Sequence, residues 1–168
     1  MKKKLLSFAV IIILILTLGT IFIVTDVDDK SETFISKIKE EIRQIRDPMS
    51  HNPYDDGQCT QYVFDKVNED KMMIEKSWSD AEHWANRAKD DGYEVNDTPK
   101  EGSLLQTESG PIGHVAYIEN INEDGSIDIS EMNLNTPHEI TNRTIEQENI
   151  DKYSYIHPKE NPYAAETD

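Results

Sequence analysis

Cys59 is the sole cysteine of this 168-residue chain, and it follows Gly57-Gln58 at the point where an apolar periodicity begins. A lone thiol cannot close an internal disulfide, so it is a free thiol, half of an intermolecular bridge, or a small buried side chain. A helix start favours chemistry, because its free N–H groups and its dipole lower a thiol's pKa and favour the nucleophilic thiolate. A histidine can then serve as base and later as acid, while a carboxylate or amide fixes its ring. His114 opens the run His114-Val115-Ala116-Tyr117, and Glu131 and Asn133 lie two residues apart in Ile129-Ser130-Glu131-Met132-Asn133. In a strand, that spacing points both side chains the same way. Of the other histidines, His51, His83 and His138 lack partners at telling spacings, and His157 reads as a packed strand residue. No pair has the spacing of a zinc site.

The elements that must position these groups read as helices first and strands later. Thr60 to Asn68 places Tyr62, Val63 and Val67 on one helical face, directly after the cysteine. Ser79 or Asp80 can cap a second helix, lined by Ala81, Trp84, Ala85 and Ala88 and ending before Gly92. Gly and Pro then punctuate β-like runs at 102–106, 114–120, 126–133 and 139–145, with Tyr153 to His157 as a last strand. Asn122-Glu123-Asp124-Gly125 predicts a tight hairpin. Paired through that turn, the two runs would bring His114, Glu131 and Asn133 toward one sheet edge. Helices on an antiparallel sheet make an α+β domain.

Ahead of the domain, Lys2, Lys3 and Lys4 precede an uncharged apolar run from Leu5 to Val24. Twenty helical residues span roughly 30 Å, the thickness of a bilayer core, whereas a cleaved signal has a shorter apolar stretch and a small-x-small site. Residues 1–25 are therefore expected to be a single-pass signal-anchor at the cell membrane, with the lysines cytoplasmic and the rest extracytoplasmic. Cleavage would instead give a secreted protein. Beyond residue 25 the chain carries 14 basic and 33 acidic residues, a formal −19. Nucleic acid needs a basic footprint and is excluded as a partner. Ile35, Ile38, Ile42 and Ile45 mark an amphipathic linker helix within residues 26–50. It could pair with a second copy, lie on the membrane, or pack on the domain, and its two heptads set no oligomeric state. Residues 51–158 form the domain, and 159–168 read as a polar tail.

Gly57-Gln58-Cys59-Thr60, Gly113-His114-Val115-Ala116-Tyr117 and Ser130-Glu131-Met132-Asn133 resemble the motifs of the CHAP domain, the cysteine- and histidine-dependent amidohydrolases/peptidases of bacterial peptidoglycan. The likeness runs from about Asn52 to His157, and is especially strong to the secreted CHAP proteins of staphylococci. It implies a papain-like (NlpC/P60-like) fold with Cys59 as nucleophile, His114 as general base, Glu131 orienting the histidine, and Asn133 at a further polar position of the site. The backbone N–H of Cys59 would hold the oxyanion, with Gln58 a second candidate donor. Trp78 is the candidate aromatic border of the substrate groove, whereas Trp84 shares a face with alanines and reads as core. The substrate implied is an amide bond in the stem or cross-bridge peptides of peptidoglycan, cut by an amidase or an endopeptidase.

This chain departs from the family pattern at Gln61, where many relatives carry an aromatic residue, and at Ser79-Asp80, where Gly-Asn is common. Some members bind calcium in the loop before the cysteine. Here that loop offers oxygen ligands at Asn52, Tyr54, Asp55 and Asp56, but a thin charge count for Ca²⁺, so no cofactor is expected, with calcium the alternative. The contrasting class is a non-catalytic, membrane-tethered domain that binds wall peptide or belongs to a secretion or conjugation machine.

Overall fold

The computed structural model describes residues 31–164. The predicted anchor, residues 1–25, lies outside them; among the described residues no helix is long and apolar enough to cross a membrane. Two compact units divide between Ile45 and Arg46. In the first, the linker helix is present as α1, residues 31–46, where Arg43 pairs with Glu40 one turn back.

The second unit is an α+β domain. Its first helix, α2 (Cys59–Glu69), buries Cys59, Thr60, Val63, Phe64 and Val67 along one stripe. No side chain caps its N-terminus, so the stripe holds it: full burial of a Val or Phe side chain contributes about 1.5–3 kcal/mol. The chain leaves α2 through Asp70 and Lys71, the latter in the left-handed region at φ 59°. The second helix begins as a 3₁₀ turn (Ala81–His83) and continues as α3 (Trp84–Asp90), burying the predicted Ala81, Trp84, Ala85 and Ala88. Asp80 stands at its cap with extended backbone, yet neither it nor Ser79 caps through a side-chain hydrogen bond.

The strands are β1 (Met72–Met73), β2 (Glu94–Asn96), β3 (Leu104–Thr107), β4 (His114–Ile121), β5 (Ile127–Met132), β6 (Ile140–Ile145), β7 (Ser154–His157) and β8 (Lys159–Glu160). Six form an antiparallel sheet in the order β2-β7-β3-β4-β5-β6, while β1 pairs only with β8. Alternation along the strands gives the sheet two apolar faces. Leu104, Val115 and Ile156 join Phe64, Trp78 and Trp84 in the core beneath the helices. Leu105, Ala116, Ile118, Ile129 and Tyr155 form a second core. The predicted turn is closed by Gly125 N–H on Asn122 O and by the Asp124 carboxylate, which accepts the N–H of Ser126.

Two boundaries differ from expectation. The domain starts at Arg46 rather than 51, because Met49 is part of its core and Asp47 accepts a hydrogen bond from the Asn161 amide. The predicted polar tail is not all tail: β8 closes a second small sheet, and Asn161 is buried with its N–H on Lys71 O.

Candidate active site

Cys59 is the first residue of α2 and is buried, with a cleft of about 420 Å³ opening over it. Asp55, Gln58, Asp80 and Ile112 help to wall the cleft. Without a side-chain cap, the first N–H groups of α2 are left for a ligand, and an oxyanion is the ligand such groups suit. The approach to the cysteine is held from several sides. Gly57, at φ 77°, donates its N–H to Gln61 Oε1, and its carbonyl accepts the His138 N–H. A Cβ at Gly57 would lie 2.6 Å from the His138 ring, so the position demands glycine both for its backbone and for space. His138, which showed no partner in sequence, thus packs two residues from the thiol.

His114 opens β4, near enough to Cys59 for the thiol to act on its basicity. Its Nε2 lies 2.8 Å from Glu131 Oε2, which leaves the other ring nitrogen, Nδ1, as the one for the thiol. Burial alone would lower the basicity of this imidazole. Interaction with Cys59 and the hydrogen bond to Glu131 overcome that and raise its pKa from 6.5 to about 9. The Glu131 carboxylate has no solvent-exposed surface. Burial there opposes the charge, yet hydrogen bonds from His114 and Arg143 hold the carboxyl below its usual range. The two chain-distant motifs therefore form one charged hydrogen-bonded group around the cysteine.

Arg143, on β6, is the member that sequence reasoning missed. Its Nε donates to Glu131 Oε1 at 2.6 Å and its Nη2 to Oε2 at 3.3 Å. The register explains the reach: Glu131 faces Thr141 and Ile129 faces Arg143, so arginine and glutamate are diagonal neighbours on one face. The available signal was alternation back from Ile145, which gives Arg143 the inward direction in an otherwise polar strand.

Asn133 does not follow Glu131 toward the histidine. It lies past the end of β5 at φ 59°, a left-handed conformation that asparagine tolerates, and its Nδ2 donates to Gln58 Oε1 at 2.7 Å. That bond leaves the Gln58 Nε2 as a donor beside Cys59. Trp78 corrects the expectation of an aromatic border to the groove. It is fully buried, donates Nε1–H to Asp91 Oδ2 at 2.8 Å, and meets Trp84 and Tyr93 edge-on. Its successors, Ser79 and Asp80, reach the cleft in its place.

Amide side chains meet the carboxylate nearest to the loop before the cysteine. Asn52 Nδ2 donates to Asp65 Oδ1 and Gln61 Nε2 to Asp65 Oδ2, so amides occupy both oxygens of the nearest helical carboxylate. Among the described residues no three His, Cys, Asp or Glu side chains cluster as metal ligands.

Comparison with known proteins gives the chain's family. Over 107 residues, 63% of its length, the chain is 50% identical to the probable autolysin SsaALP of Staphylococcus aureus and 47% identical to the staphylococcal secretory antigen ssaA2 of the same species. It spans only 40% and 39% of those proteins. A crystal structure of an N-acetylmuramoyl-L-alanine amidase from Staphylococcus aureus superposes with a TM-score of 0.63 at 38% identity, over 66% of this chain and 32% of the amidase. The CHAP domain family model matches residues 49–133, the stretch that carries Cys59, His114, Glu131 and Asn133, and the chain belongs to the CHAP domain family.

Proposed function

We propose that the chain is a peptidoglycan hydrolase that cleaves an amide bond of the stem or cross-bridge peptide through a Cys59 thioester. The observation that carries this reading is a thiol lining an open cleft and acting on a histidine that is hydrogen-bonded to a buried carboxylate. His114, charged at neutral pH, holds the proton taken from the thiol while the sulfur attacks the carbonyl carbon. The oxyanion that forms accepts from the Cys59 backbone N–H and from Gln58 Nε2, which Asn133 aims. Collapse of the adduct breaks the C–N bond, and the imidazolium gives its proton to the leaving amine. Neutral His114 then takes a proton from water, whose oxygen attacks the thioester and returns the free thiol. Two near neighbours in sequence and structure are called an autolysin and an amidase, which supports hydrolysis of the lactyl–alanine amide as the first bond to test.

The Lys2–Lys4 and Leu5–Val24 pattern supports a membrane-tethered enzyme acting on nearby wall material, and no metal takes part in the steps above. Mass spectrometry of peptidoglycan treated with purified protein reports activity and bond together. Release of new amino groups, lost in Cys59→Ala and His114→Ala, is the expected result. Undiminished release by Cys59→Ala would overturn the thiol mechanism.

A further inference from the structure

Among the described residues the one side-chain hydrogen bond that His114 makes goes to Glu131, and a buried carboxylate is a poor anchor unless both oxygens are engaged. His114 uses one face of Oε2. With nothing on Oε1, the group would be free to rotate toward other donors, or to take up a proton and so cease to accept from a charged imidazole. The only other side chain that meets this carboxylate in the described residues is Arg143, which spans both oxygens from the neighbouring strand. Arg143 is absent from the cleft wall, and both of its side-chain hydrogen bonds go to Glu131. It therefore reaches the reacting atoms only through Glu131 and His114.

We propose that Arg143 is a positioning residue of the hydrolytic reaction: its two hydrogen bonds lock the Glu131 carboxylate, ionised, with Oε2 on His114 Nε2, so that Nδ1 is kept toward Cys59. This rests on the thiol-hydrolase reading, and it adds β6 to the elements that reaction requires. A neutral or rotated Glu131 would let the imidazole turn, or would admit the tautomer that carries its proton on Nδ1 and cannot accept one from the thiol. The guanidinium is suited to the task because its planar fork meets a carboxylate at two points, which an ammonium does not.

Arg143→Met and Arg143→Lys test this. In turnover, Met is expected to lower kcat about 10- to 100-fold with KM within about twofold, and to move the acid limb of the pH profile upward; Lys restores part of the loss. A second measurement needs no wall substrate. Cys59 is the only cysteine, so iodoacetamide alkylation of the intact protein as a function of pH reads that one site. The Met variant is expected to show a displaced alkylation profile, with Lys between Met and the parent. A folded Met variant whose alkylation profile matches the parent overturns the proposal, whether or not the parent degrades peptidoglycan. Should Met fail to fold, a Lys variant with the parent's kcat and alkylation profile overturns it equally. Absence of turnover in the parent, together with a displaced profile in the variants, would count against the hydrolase reading and leave the role of Arg143 supported.

Discussion

Gly113→Ala is the perturbation that most directly tests how the histidine is placed. Gly113 precedes His114 at φ 70°, wedged where the 3₁₀ turn of residues 81–83 meets the end of β3. A Cβ there would sit 2.5 Å from Glu82 N, 2.6 Å from Glu82 Cα and 2.7 Å from Thr107 O. All three are backbone atoms, so no rotamer change relieves the overlap, and the Glu82 N–H bond to Ile112 O at 2.9 Å ties the same two segments together. The left-handed backbone costs an alanine about 1–2 kcal/mol, and forcing packed segments apart costs about 1–3 kcal/mol more. The sum, about 2–5 kcal/mol, is a large share of a domain's usual 5–15 kcal/mol. Gly110→Ala separates the two contributions, because Gly110 has φ 92° with nothing within 4 Å of its Cβ position. Urea unfolding followed by fluorescence of the buried Trp78 and Trp84 gives both losses. Gly113→Ala is expected to lose about 1–3 kcal/mol more than Gly110→Ala, and its folded fraction to turn over more than tenfold slower because His114 moves with its neighbour. Equal losses for the two variants would refute the close approach as the reason for glycine at 113.

Two further outcomes follow from the same coordinates. His114 is raised in the folded state from 6.5 to about 9, so its contribution to stability is complete below pH 6.5 and is lost as the pH climbs through about 9. The ceiling is about 3 kcal/mol, read as a falling urea midpoint across that window; a fall of the same size in His114→Gln would rule the imidazole out as its source. Ser79 is an L-residue at φ 63° where relatives commonly carry glycine, and its backbone carbonyl, which accepts the Trp84 Nε1–H, survives substitution. Ser79→Gly is expected to raise the urea midpoint by up to about 1 kcal/mol, and a lowered midpoint would show that the serine side chain contributes more than its backbone costs.

The candidate site residues were legible because short motifs travel with them, and α2 was legible because Val63 and Val67 repeat at helical spacing. Trp78 was misread as a groove residue because an aromatic beside a cleft-lining segment looks the same in sequence whether its ring faces in or out. Its Nε1–H partner, Asp91, is thirteen positions away and carries no pattern. The pairs β1 with β8 and β2 with β7 escaped for a different reason. Strands of two or three residues are too short for alternation to show, and their register is imposed by the elements on either side. Arg143 lies in a strand that was predicted, yet its role depends on a diagonal contact across β5 and β6, which composition cannot announce.

The meeting of His114 and Glu131 shows how much a single backbone irregularity decides. From the Asp-Gly turn outward, the hairpin pairs Ile121 with Ile127 and Asn120 with Asp128. Continued without change, that register would set Tyr117 opposite Glu131, and His114, three residues on, would point to the other face of the sheet. Instead the pairing shifts at Glu119, so that Ile118 faces Ile129 and Tyr117 faces Ser130. One extra residue inverts the parity of everything beyond it, which turns the even-numbered residues of β4, His114 among them, onto the face that carries Ile129 and Glu131. The bulge is fastened where it matters. The Glu119 carboxylate accepts from Ser130 Oγ at 2.6 Å and pairs with Lys66 of α2 at 2.9 Å. Lys66 belongs to the helix that begins at Cys59, so one ion pair joins the helix bearing the candidate nucleophile to the irregularity that sets the face of the histidine. The meeting of His114 and Glu131 thus depends on a residue that touches neither of them.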